Sequence, residues 1–382
     1  MTSILSPSPP WAFPFCPTSP EWSLDWNSIQ TDFDWISNLQ GCPQDPVYHA
    51  EGDVLTHTRM VCEALVSSAA WRQKQSVERS VLFAAALLHD VAKPASTQIE
   101  SDGITSRGHV RLGARMARLI LWQMDAPVPF HEREMIVALV QNGSLPIWFM
   151  EKPNPQRAVI RASLVVQCEM LALLAEADVR GRQCSDQQEL LERIELFREF
   201  CQENGCLHEP RLFPSAYSRF VYLRKEDGYP DYEAFDDTRC EVVLMSGLPG
   251  SGKDHWIKEH LPDWPVVSLD QLRKQMNISP DEDQGVVVTT AKERARVYLR
   301  SQRSFVWNAT NTTRSMRQQL INFFTAYHAR IRIVYLEAPF EELLRRNRDR
   351  TASLPEAIID KLASRLDVPE FTEADEVQWV ES

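Results

Sequence analysis

Apolar residues are distributed differently in the two halves of this 382-residue chain. The first half has long apolar stretches, such as VLFAAALLHDVAKP and LALLAEADVRGR, which predict buried helices. The second half has short apolar runs, among them VVLMS, SFVWN and IRIVYLE, and helix-like stretches lie between them. Strands that alternate with helices imply a parallel sheet. The pattern therefore predicts buried helices in the first half and an α/β domain with a parallel β-sheet in the second.

The apolar run at 242–246 leads directly into a glycine-rich loop that ends in a lysine. The spacing GxxxxGK is typical of a phosphate-binding loop (P-loop). Its glycines let successive backbone N–H groups face a polyphosphate, while the lysine reaches the outer phosphates. The helix-like WIKEHL that follows supplies the expected context. We expect ATP or GTP to be bound here by Gly247, Leu248, Pro249, Gly250, Ser251, Gly252, Lys253 and Asp254.

Asp254 occupies the position at which such loops usually carry a magnesium-binding Ser or Thr. A carboxylate beside a polyanion is tolerable if a cation bridges the two or if the side chain turns away. We expect Asp254 to contact Mg²⁺, directly or through one water.

The next apolar run, WPVVSLDQLR, places Asp270 and Arg273 just after a short strand. A carboxylate that takes the proton of a hydroxyl and a cation that holds the acceptor in line would indicate a kinase. The same residues also fit an ordinary helix start with an acidic first turn. Farther on, EELLRRNRDR places Arg346 and Arg350 on one helical face. They would form either a lid over the triphosphate or a solvated cationic face.

The series GLPGSGKD, SLDQLR, NATN and RRNRDR resembles the kinase domain of polynucleotide 5′-hydroxyl kinases. The resemblance implies that Lys253 contacts the β- and γ-phosphates and that Asp270 is the general base. Arg273 would bind the phosphate on the 3′ side of the acceptor. The lid arginines would be Arg346 and Arg350.

A second set of candidate ligands lies in the first half of the chain. His89 and Asp90 are adjacent at the end of an apolar helix that Pro94 is expected to end. Neighbours on a helix point about 100° apart, yet at its last turn both can reach one ion. A mixed set of histidine and carboxylate suits a divalent transition metal such as Mn²⁺, Ni²⁺, Co²⁺ or Fe²⁺. We predict a metal site formed by His57, His89, Asp90 and Asp178.

These four residues match, in this order, the signature of the HD phosphohydrolase superfamily, whose fold is a helical bundle. HAEGDVLTHT, LLHDVAKP and GHVRLGA resemble the HD domains of tRNA nucleotidyltransferases and of bacterial two-domain end-healing enzymes. The resemblance implies that Lys93 contacts a substrate phosphate and that His109 serves a second metal or the substrate. Where relatives that bind two metals carry a histidine, this chain has Gly143, and His131 lies about three helical turns upstream. We therefore expect one tightly held ion and a weak second one.

Composition fits cytoplasmic globular domains. A length of 382 residues with 43% apolar residues is enough for two cores, and no segment reaches about 18 uninterrupted apolar residues, so no membrane partner is expected. The eight cysteines form no CxxC pair; Cys201 and Cys206 are the only close couple, and we expect reduced thiols. The predicted divisions are an extended N-terminal arm (1–30), an HD phosphoesterase domain (31–210), an interdomain segment (211–240) and a P-loop polynucleotide kinase domain (241–382).

Charge is unevenly distributed along the chain, whose net charge is −12. Residues 241–350 contain 17 Lys and Arg against 13 Asp and Glu, so a phosphodiester chain would dock on the kinase half. Aromatic and basic residues interleave just before it and would either stack on bases or pack the two domains together. These residues are Tyr217, Arg219, Phe220, Tyr222, Arg224 and Lys225.

The two halves together suggest one purpose. RNA cleaved by its own 2′-hydroxyl carries a 2′,3′-cyclic phosphate and a 5′-hydroxyl, and a metal phosphoesterase with a 5′-kinase would correct both ends. The chain thus resembles bacterial two-domain end-healing enzymes, with RNA or DNA strand ends and a nucleoside triphosphate as partners and a nucleic-acid ligase acting afterwards. Two alternatives stay open: a small-molecule kinase fused to a nucleotide phosphohydrolase, and a nucleotide-sensing regulatory module with a degenerate HD site.

Overall fold

The computed structural model describes residues 10–101, 103–225, 227–279, 282–349 and 354–382. The chain divides into two compact units, residues 1–211 (unit 1) and residues 212–382 (unit 2). Within the described ranges no single helix is long and apolar enough to cross a membrane. One bent pair, Pro155–Ser163 with Cys168–Arg180, meets the length and composition criteria only when its two helices are taken together.

Unit 1 is helical apart from one short antiparallel hairpin, which adds to the predicted all-α bundle without changing it. The hairpin strands are β1 (Gln98–Glu100) and β2 (Gly103–Thr105). The helices are α1 (Trp26–Asp32), α2 (Asp34–Ser37), α3 (Val54–Ser67), α4 (Ala69–Arg72), α5 (Ser76–Leu88), α6 (Lys93–Ser96), α7 (His109–Gln123), α8 (Phe130–Asn142), α9 (Leu145–Trp148) with the 3-10 turn Phe149–Glu151, α10 (Pro155–Ser163), α11 (Cys168–Arg180) and α12 (Gln187–Glu203).

Helix α5 lies at the centre of unit 1 because all but its first turn is apolar on every side. All its residues from Ser80 to Leu88 are buried, and it packs against α3, α8 and α11. A helix without a polar face can be stable only when neighbours cover it all round. The neighbouring helix α3 begins where the Asp53 side chain accepts a hydrogen bond from the Thr56 backbone N–H at 2.9 Å.

Unit 2 has the predicted parallel β-sheet, with helices between its strands. The strands are β3 (Cys240–Ser246), β4 (Val266–Ser268), β5 (Phe305–Asn308), β6 (Ala329–Glu337) and β7 (Glu376–Glu381). The helices are α13 (Ala216–Arg224), α14 (Lys253–His260), α15 (Leu269–Met276), α16 (Gly285–Arg300), α17 (Arg314–Thr325), α18 (Phe340–Arg348) and α19 (Glu356–Ala363).

The strand order is β4-β5-β3-β6-β7, and every pairing is parallel. Alternate residues of β3 enter different apolar clusters: Val242 and Leu244 belong to one, and Val243 and Met245 belong to the other. Successive side chains of a strand point to opposite faces, so both faces of this strand are covered. Since the carboxyl ends of parallel strands share one edge, the loops after β3, β4 and β5 all open at that edge.

The segment between the predicted domains packs within unit 2. Phe220 and Tyr222 are buried, and Phe220 joins the core that contains the β3 side chains. Arg219 donates to the Asp375 carbonyl at 2.7 Å, and the Arg224 guanidinium lies over the Phe220 ring. Of the two roles left open for Phe220 and Tyr222, the structure favours packing over base stacking, because both rings are covered by protein.

Candidate metal centre and phosphate-binding loop

Four predicted ligands converge at one point in unit 1. His57 Nε2 lies 3.3 Å from His89 Nε2 and 3.1 Å from Asp178 Oδ1, and Asp90 Oδ2 lies 3.2 Å from His89 Nε2. They come from the first turn of α3, the turn after α5, and the last turn of α11. Two imidazole nitrogens that face each other and two carboxylates form a donor set suited to one divalent cation. These residues therefore fit the predicted metal.

The turn after α5 differs from the expectation in one respect. Helix α5 ends at Leu88, five residues before Lys93, and Pro94 lies in the first turn of the next helix, α6. Pro94 therefore does not end the apolar helix; proline is well tolerated in a first turn because its missing N–H would have no intrahelical acceptor there. His89 is held instead by its Nδ1, which lies 2.7 Å from the Ala86 carbonyl. That contact directs Nε2 towards the other ligands.

Behind the ligands lies Glu51, which the sequence analysis did not identify. Its Oε1 is 2.9 Å from His57 Nδ1 and 2.8 Å from His49 Nδ1, and its Oε2 accepts from the Gln183 backbone N–H. Burial raises the pKa of Glu51, but the hydrogen bonds from His49 and His57 outweigh burial and lower it. A carboxylate on Nδ1 fixes the tautomer and orientation of a ligating histidine. The only sequence signal was an acidic residue six positions before His57.

Each buried carboxylate of the centre has a basic partner. Lys93 Nζ lies 2.7 Å from Asp90 Oδ2 and donates to the Gln44 side chain at 2.7 Å, while Arg182 pairs with both oxygens of Asp178. Burial alone would raise the pKa of Asp90, but the charges of Lys93 and His89 hold it well below its usual range. Arg182 does the same for the pKa of Asp178. Both carboxylates are thus ionised ligands; Arg182 was missed by the sequence analysis.

His109 stands at the margin of the centre. Its Nε2 lies 3.9 Å from Asp90 Oδ1, its Nδ1 lies 2.6 Å from the Ser106 carbonyl, and the side chain is 29% exposed.

Gly143 ends α8, and a Cβ added there would lie 3.7 Å from Leu174, one helical turn before Asp178. His131 opens α8 at its opposite end and packs against the Phe130 ring. It therefore does not replace the histidine expected at 143.

The glycine-rich loop of unit 2 joins β3 to α14. A Cβ added to Gly247 would lie 2.4 Å from the Leu336 carbonyl oxygen, and the φ of Gly247 is +139°, so only glycine fits. The loop passes close to β6 there. Two of its amides are engaged within the protein: the Gly247 N–H donates to the Thr310 carbonyl at 2.9 Å, and the Ser251 N–H donates to the Leu248 carbonyl at 3.2 Å. Lys253 Nζ donates to the Gly247 and Leu248 carbonyls at 2.9 and 2.8 Å. The lysine is therefore folded over the loop that it is predicted to serve.

Asp254 contacts the end of a neighbouring strand. Its Oδ1 accepts from Asn308 Nδ2 at 2.6 Å, and Asn308 is the last residue of β5, next to β3 in the sheet. The carboxylate is thus tied to the carboxyl edge of the sheet, and the residue as a whole is exposed. Asn308 was noted in the sequence only as a polar strand end, and the contact could not be foreseen because 54 residues separate the partners.

Asp270 and Arg273 form an ion pair within the first two turns of α15. The Asp270 side chain is 66% exposed, and Arg273 Nε also donates to the Gln284 side chain at 2.8 Å. Exposed pairs of this kind add little stability, so the pairing leaves the carboxylate available.

Arg346, one of the two predicted lid arginines, reaches the phosphate loop. Its guanidinium lies 3.4 Å from the Gly250 carbonyl and 3.1 Å from Ser382 Oγ. Arg350 lies outside the described residues.

Comparison with known proteins finds a protein-family match in each of the two units. Residues 54–145 match the HD domain family, and residues 242–369 match an AAA domain family. The chain therefore combines an HD domain with a kinase-like P-loop domain.

Curated relatives are distant and longer than the matched part. The chain is 27% identical over 169 residues to the Multifunctional CCA protein of Hahella chejuensis, a match covering 41% of this chain and 36% of that protein. It is 23% identical over 135 residues to the L-seryl-tRNA(Sec) kinase of Methanococcus maripaludis, covering 34% of this chain and 53% of that one. A mouse heterogeneous nuclear ribonucleoprotein U-like protein 2 is 26% identical over 164 residues, covering 37% and 22%. The chain thus spans between about a fifth and a half of these proteins.

Solved structures give weaker likenesses. A kinase of unassigned substrate from Chloroflexus aurantiacus is 16% identical with a TM-score of 0.33, covering 38% of this chain and 86% of that one. A gluconokinase from Sinorhizobium meliloti is 19% identical with a TM-score of 0.28, covering 38% and 83%. At these TM-scores the likeness says nothing about substrate.

Proposed function

We propose that the protein heals broken nucleic-acid ends, with a 5′-hydroxyl polynucleotide kinase in unit 2 and a metal-dependent phosphoesterase for 2′,3′-cyclic or terminal 2′- or 3′-phosphates in unit 1. The observation that carries the proposal is the presence, in one chain, of a four-ligand centre flanked by Lys93 and a phosphate loop that shares its sheet edge with Asp270. The described residues of each set lie within one unit.

In unit 1, a divalent transition ion would be held by His57, His89, Asp90 and Asp178. Such an ion supplies Lewis acidity towards a water molecule and a phosphoryl oxygen. Lys93 would bind the substrate phosphate, since its ammonium lies at the edge of the ligand set and is only 12% exposed. Glu51 would keep the His57 ring in a fixed orientation throughout, and His109 would contact the substrate or a weaker second ion.

In unit 2, the triphosphate would lie in the loop with its magnesium beside Asp254. Lys253 would leave the Gly247 and Leu248 carbonyls for the β- and γ-phosphates, which offer it full negative charges. Asp270 would accept the proton of the 5′-hydroxyl as its oxygen attacks the γ-phosphorus and the bond to the β-phosphate oxygen breaks. Arg273 would hold the phosphate on the 3′ side of the acceptor, and Arg346 would close over the loop.

A nucleic-acid acceptor is favoured over a free metabolite by two observations. Basic residues are concentrated in residues 241–350, although the chain as a whole is acidic. One relative is named as a kinase of seryl-tRNA(Sec), and another is named as a ribonucleoprotein-like protein.

The test uses one RNA that carries a 5′-hydroxyl and a 2′,3′-cyclic phosphate. It is incubated with the full-length protein, ATP or GTP, Mg²⁺ and either Mn²⁺ or Ni²⁺, and both ends are then identified. We expect a 5′-phosphate and loss of the cyclic phosphate. Phosphorylation of sugars or nucleosides that short oligonucleotides do not inhibit would contradict the proposal and favour a small-molecule kinase. Nucleotide binding without turnover at either end would favour a regulatory module.

A further inference from the structure

Three buried cysteines meet in unit 1, away from the HD ligands. The sulfur atoms of Cys168, Cys201 and Cys206 all lie within 4.8 Å of one another, and each residue is 0% exposed. Cys168 opens α11, the helix that carries Asp178 ten residues later. Ten residues of helix span about 15 Å, so the cysteines and the HD ligands are separate sites.

The three sulfurs come from different segments and are held in place by backbone contacts. Cys201 lies in the last turn of α12, and the Cys206 backbone N–H donates to the Cys201 carbonyl at 2.9 Å. The turn between them passes through Gly205, whose φ is +60°. The Glu169 backbone N–H then donates to the Leu207 carbonyl at 3.0 Å, which ties the turn to the start of α11. The convergence is therefore built by the fold.

A polar environment surrounds Cys206, which distinguishes this cluster from ordinary packing of small apolar residues. The charge of Arg211 and the hydroxyl of Ser163 act on its sulfur, and the Arg211 backbone N–H donates to Ser163 Oγ at 3.1 Å. Three sulfurs that face one another beside an arginine suit a soft cation, because the guanidinium offsets part of the negative charge of bound thiolates.

We propose that Cys168, Cys201 and Cys206 bind one thiophilic divalent cation of the zinc class. Zinc–sulfur bonds of about 2.3 Å place neighbouring sulfurs about 3.8 Å apart, which the observed limit of 4.8 Å allows. Binding would release the thiol protons of the three cysteines to solvent. Three thiolates, one divalent ion and the Arg211 guanidinium then sum to zero charge, as a buried site requires. The ion would tie the end of α12 to the start of α11.

The test exploits the chemical difference between the two metal sites. Co²⁺ bound by thiolates absorbs in the near ultraviolet through sulfur-to-metal charge transfer, whereas histidine and carboxylate ligands in the HD centre give no such band. Full-length protein is produced in zinc-depleted medium with cobalt, because sulfurs that are fully buried can take up an ion only as the chain folds. We expect the charge-transfer band in the wild type and its loss in Cys206→Ser.

Two controls keep the result decisive. Cys62→Ser alters an equally buried cysteine outside the cluster and should keep the band. Protein grown with zinc should contain one more zinc equivalent than Cys206→Ser, measured by elemental analysis. If Cys206→Ser does not fold, the wild type and Cys62→Ser decide the question alone. The proposal is overturned by a folded, cobalt-grown wild type without the band, or by a mass deficit of two hydrogens showing a disulfide within the cluster.

Discussion

The HD centre and the phosphate-loop site differ in how far they are assembled before any substrate arrives. In unit 1 the ligands His57 and Asp90 are almost inaccessible, at 1% and 5% side-chain exposure, and every carboxylate of the centre has a basic partner. In unit 2 the proposed base Asp270 is 66% exposed, and Lys253 is folded back on its own loop. The side chains of the HD centre are thus already assembled, whereas Lys253 and Asp270 of the phosphate-loop site are near their proposed positions but bound to other protein groups.

The contrast follows from the chemistry that each site is proposed to perform. A cation centre must gather charged ligands in the interior, and buried charges are stable only when each has a fixed partner. A kinase site must admit two substrates and exclude water only after both are bound, so its arginines and its base are kept near the surface. Five changes would break or sharpen this comparison.

The largest expected effect comes from removing two HD ligands. In His89→Ala with Asp90→Ala, removal of the cyclic phosphate should fall to background, a greater loss than the roughly 10²-fold that loss of a partner behind the ligands costs. Kinase activity should persist, since no residue is shared. Both ends of the RNA are assayed, with a thermal melt to show folding. His131→Ala, a histidine of the same unit outside the ligand set, is the matched control and should keep both activities.

Loss of the proposed general base comes next. Asp270→Ala should reduce 5′ phosphorylation by about 10²-fold or more, the usual contribution of general base catalysis, and should leave cyclic-phosphate removal unchanged. Initial rates with saturating ATP measure this effect. Asp263→Ala removes another exposed carboxylate from the same region and should be neutral. A folded Asp270→Ala protein that lost both activities would show that the two sites act as one coupled machine.

Glu51→Gln tests whether the HD centre depends on residues behind its ligands. The substitution keeps the size of the side chain but weakens its hold on His57 Nδ1, so affinity for Mn²⁺ should fall by about 10- to 100-fold. Competition with a chelating indicator measures the affinity without any turnover. Glu63→Gln, an exposed glutamate paired with Arg59, is the control. If Glu51→Gln bound Mn²⁺ with unchanged affinity, Glu51 would have no role in metal binding and would serve only the fold.

Asp254→Ala should raise the magnesium requirement of the kinase by several-fold, because a carboxylate beside the phosphates is offset only by a cation. Asn308→Ala removes its 2.6 Å hydrogen bond, so a smaller shift in the same direction is expected. Phosphorylation rates across a magnesium titration give both values. Normal behaviour of Asp254→Ala would show that the side chain serves only the start of α14.

The smallest effect concerns stability. Asp375 is buried in unit 2 and accepts from the Ile331 backbone N–H, and burial raises its pKa. Because the folded-state pKa is raised, ionisation of Asp375 destabilises the fold in full above that pKa, and the penalty disappears as the pH falls below the unfolded-state pKa. Asp375→Asn should therefore raise the thermal stability of unit 2 at pH 7 and should lose this advantage near pH 3. Thermal melts at both pH values test this, and an advantage independent of pH would contradict the argument.

Much of the fold follows from local pattern. Apolar runs predict a buried helix over 81–94 and a strand over 242–246, where the structure has a helix over 76–88 and a strand over 240–246. The phosphate loop is predicted from a spacing of seven residues. The place of Pro94 was misjudged because the first apolar helix ends at Leu88, where His89 bonds back to the Ala86 carbonyl. For Phe220 and Tyr222 the sequence left packing and base stacking both open, because an aromatic residue beside a cation looks the same in a sequence whether it packs or stacks.

By itself, the sequence determined which residue types could bind a metal and a triphosphate, since His89–Asp90 and GLPGSGK are local arrangements whose chemistry does not depend on the rest of the chain. Tertiary structure alone decided the partners: Glu51 behind His57, Arg182 on Asp178, Asn308 on Asp254, and Cys168 beside Cys201 and Cys206. Most of these contacts join different helices or strands, and packing of apolar faces sets which elements meet. No spacing along the chain encodes that choice.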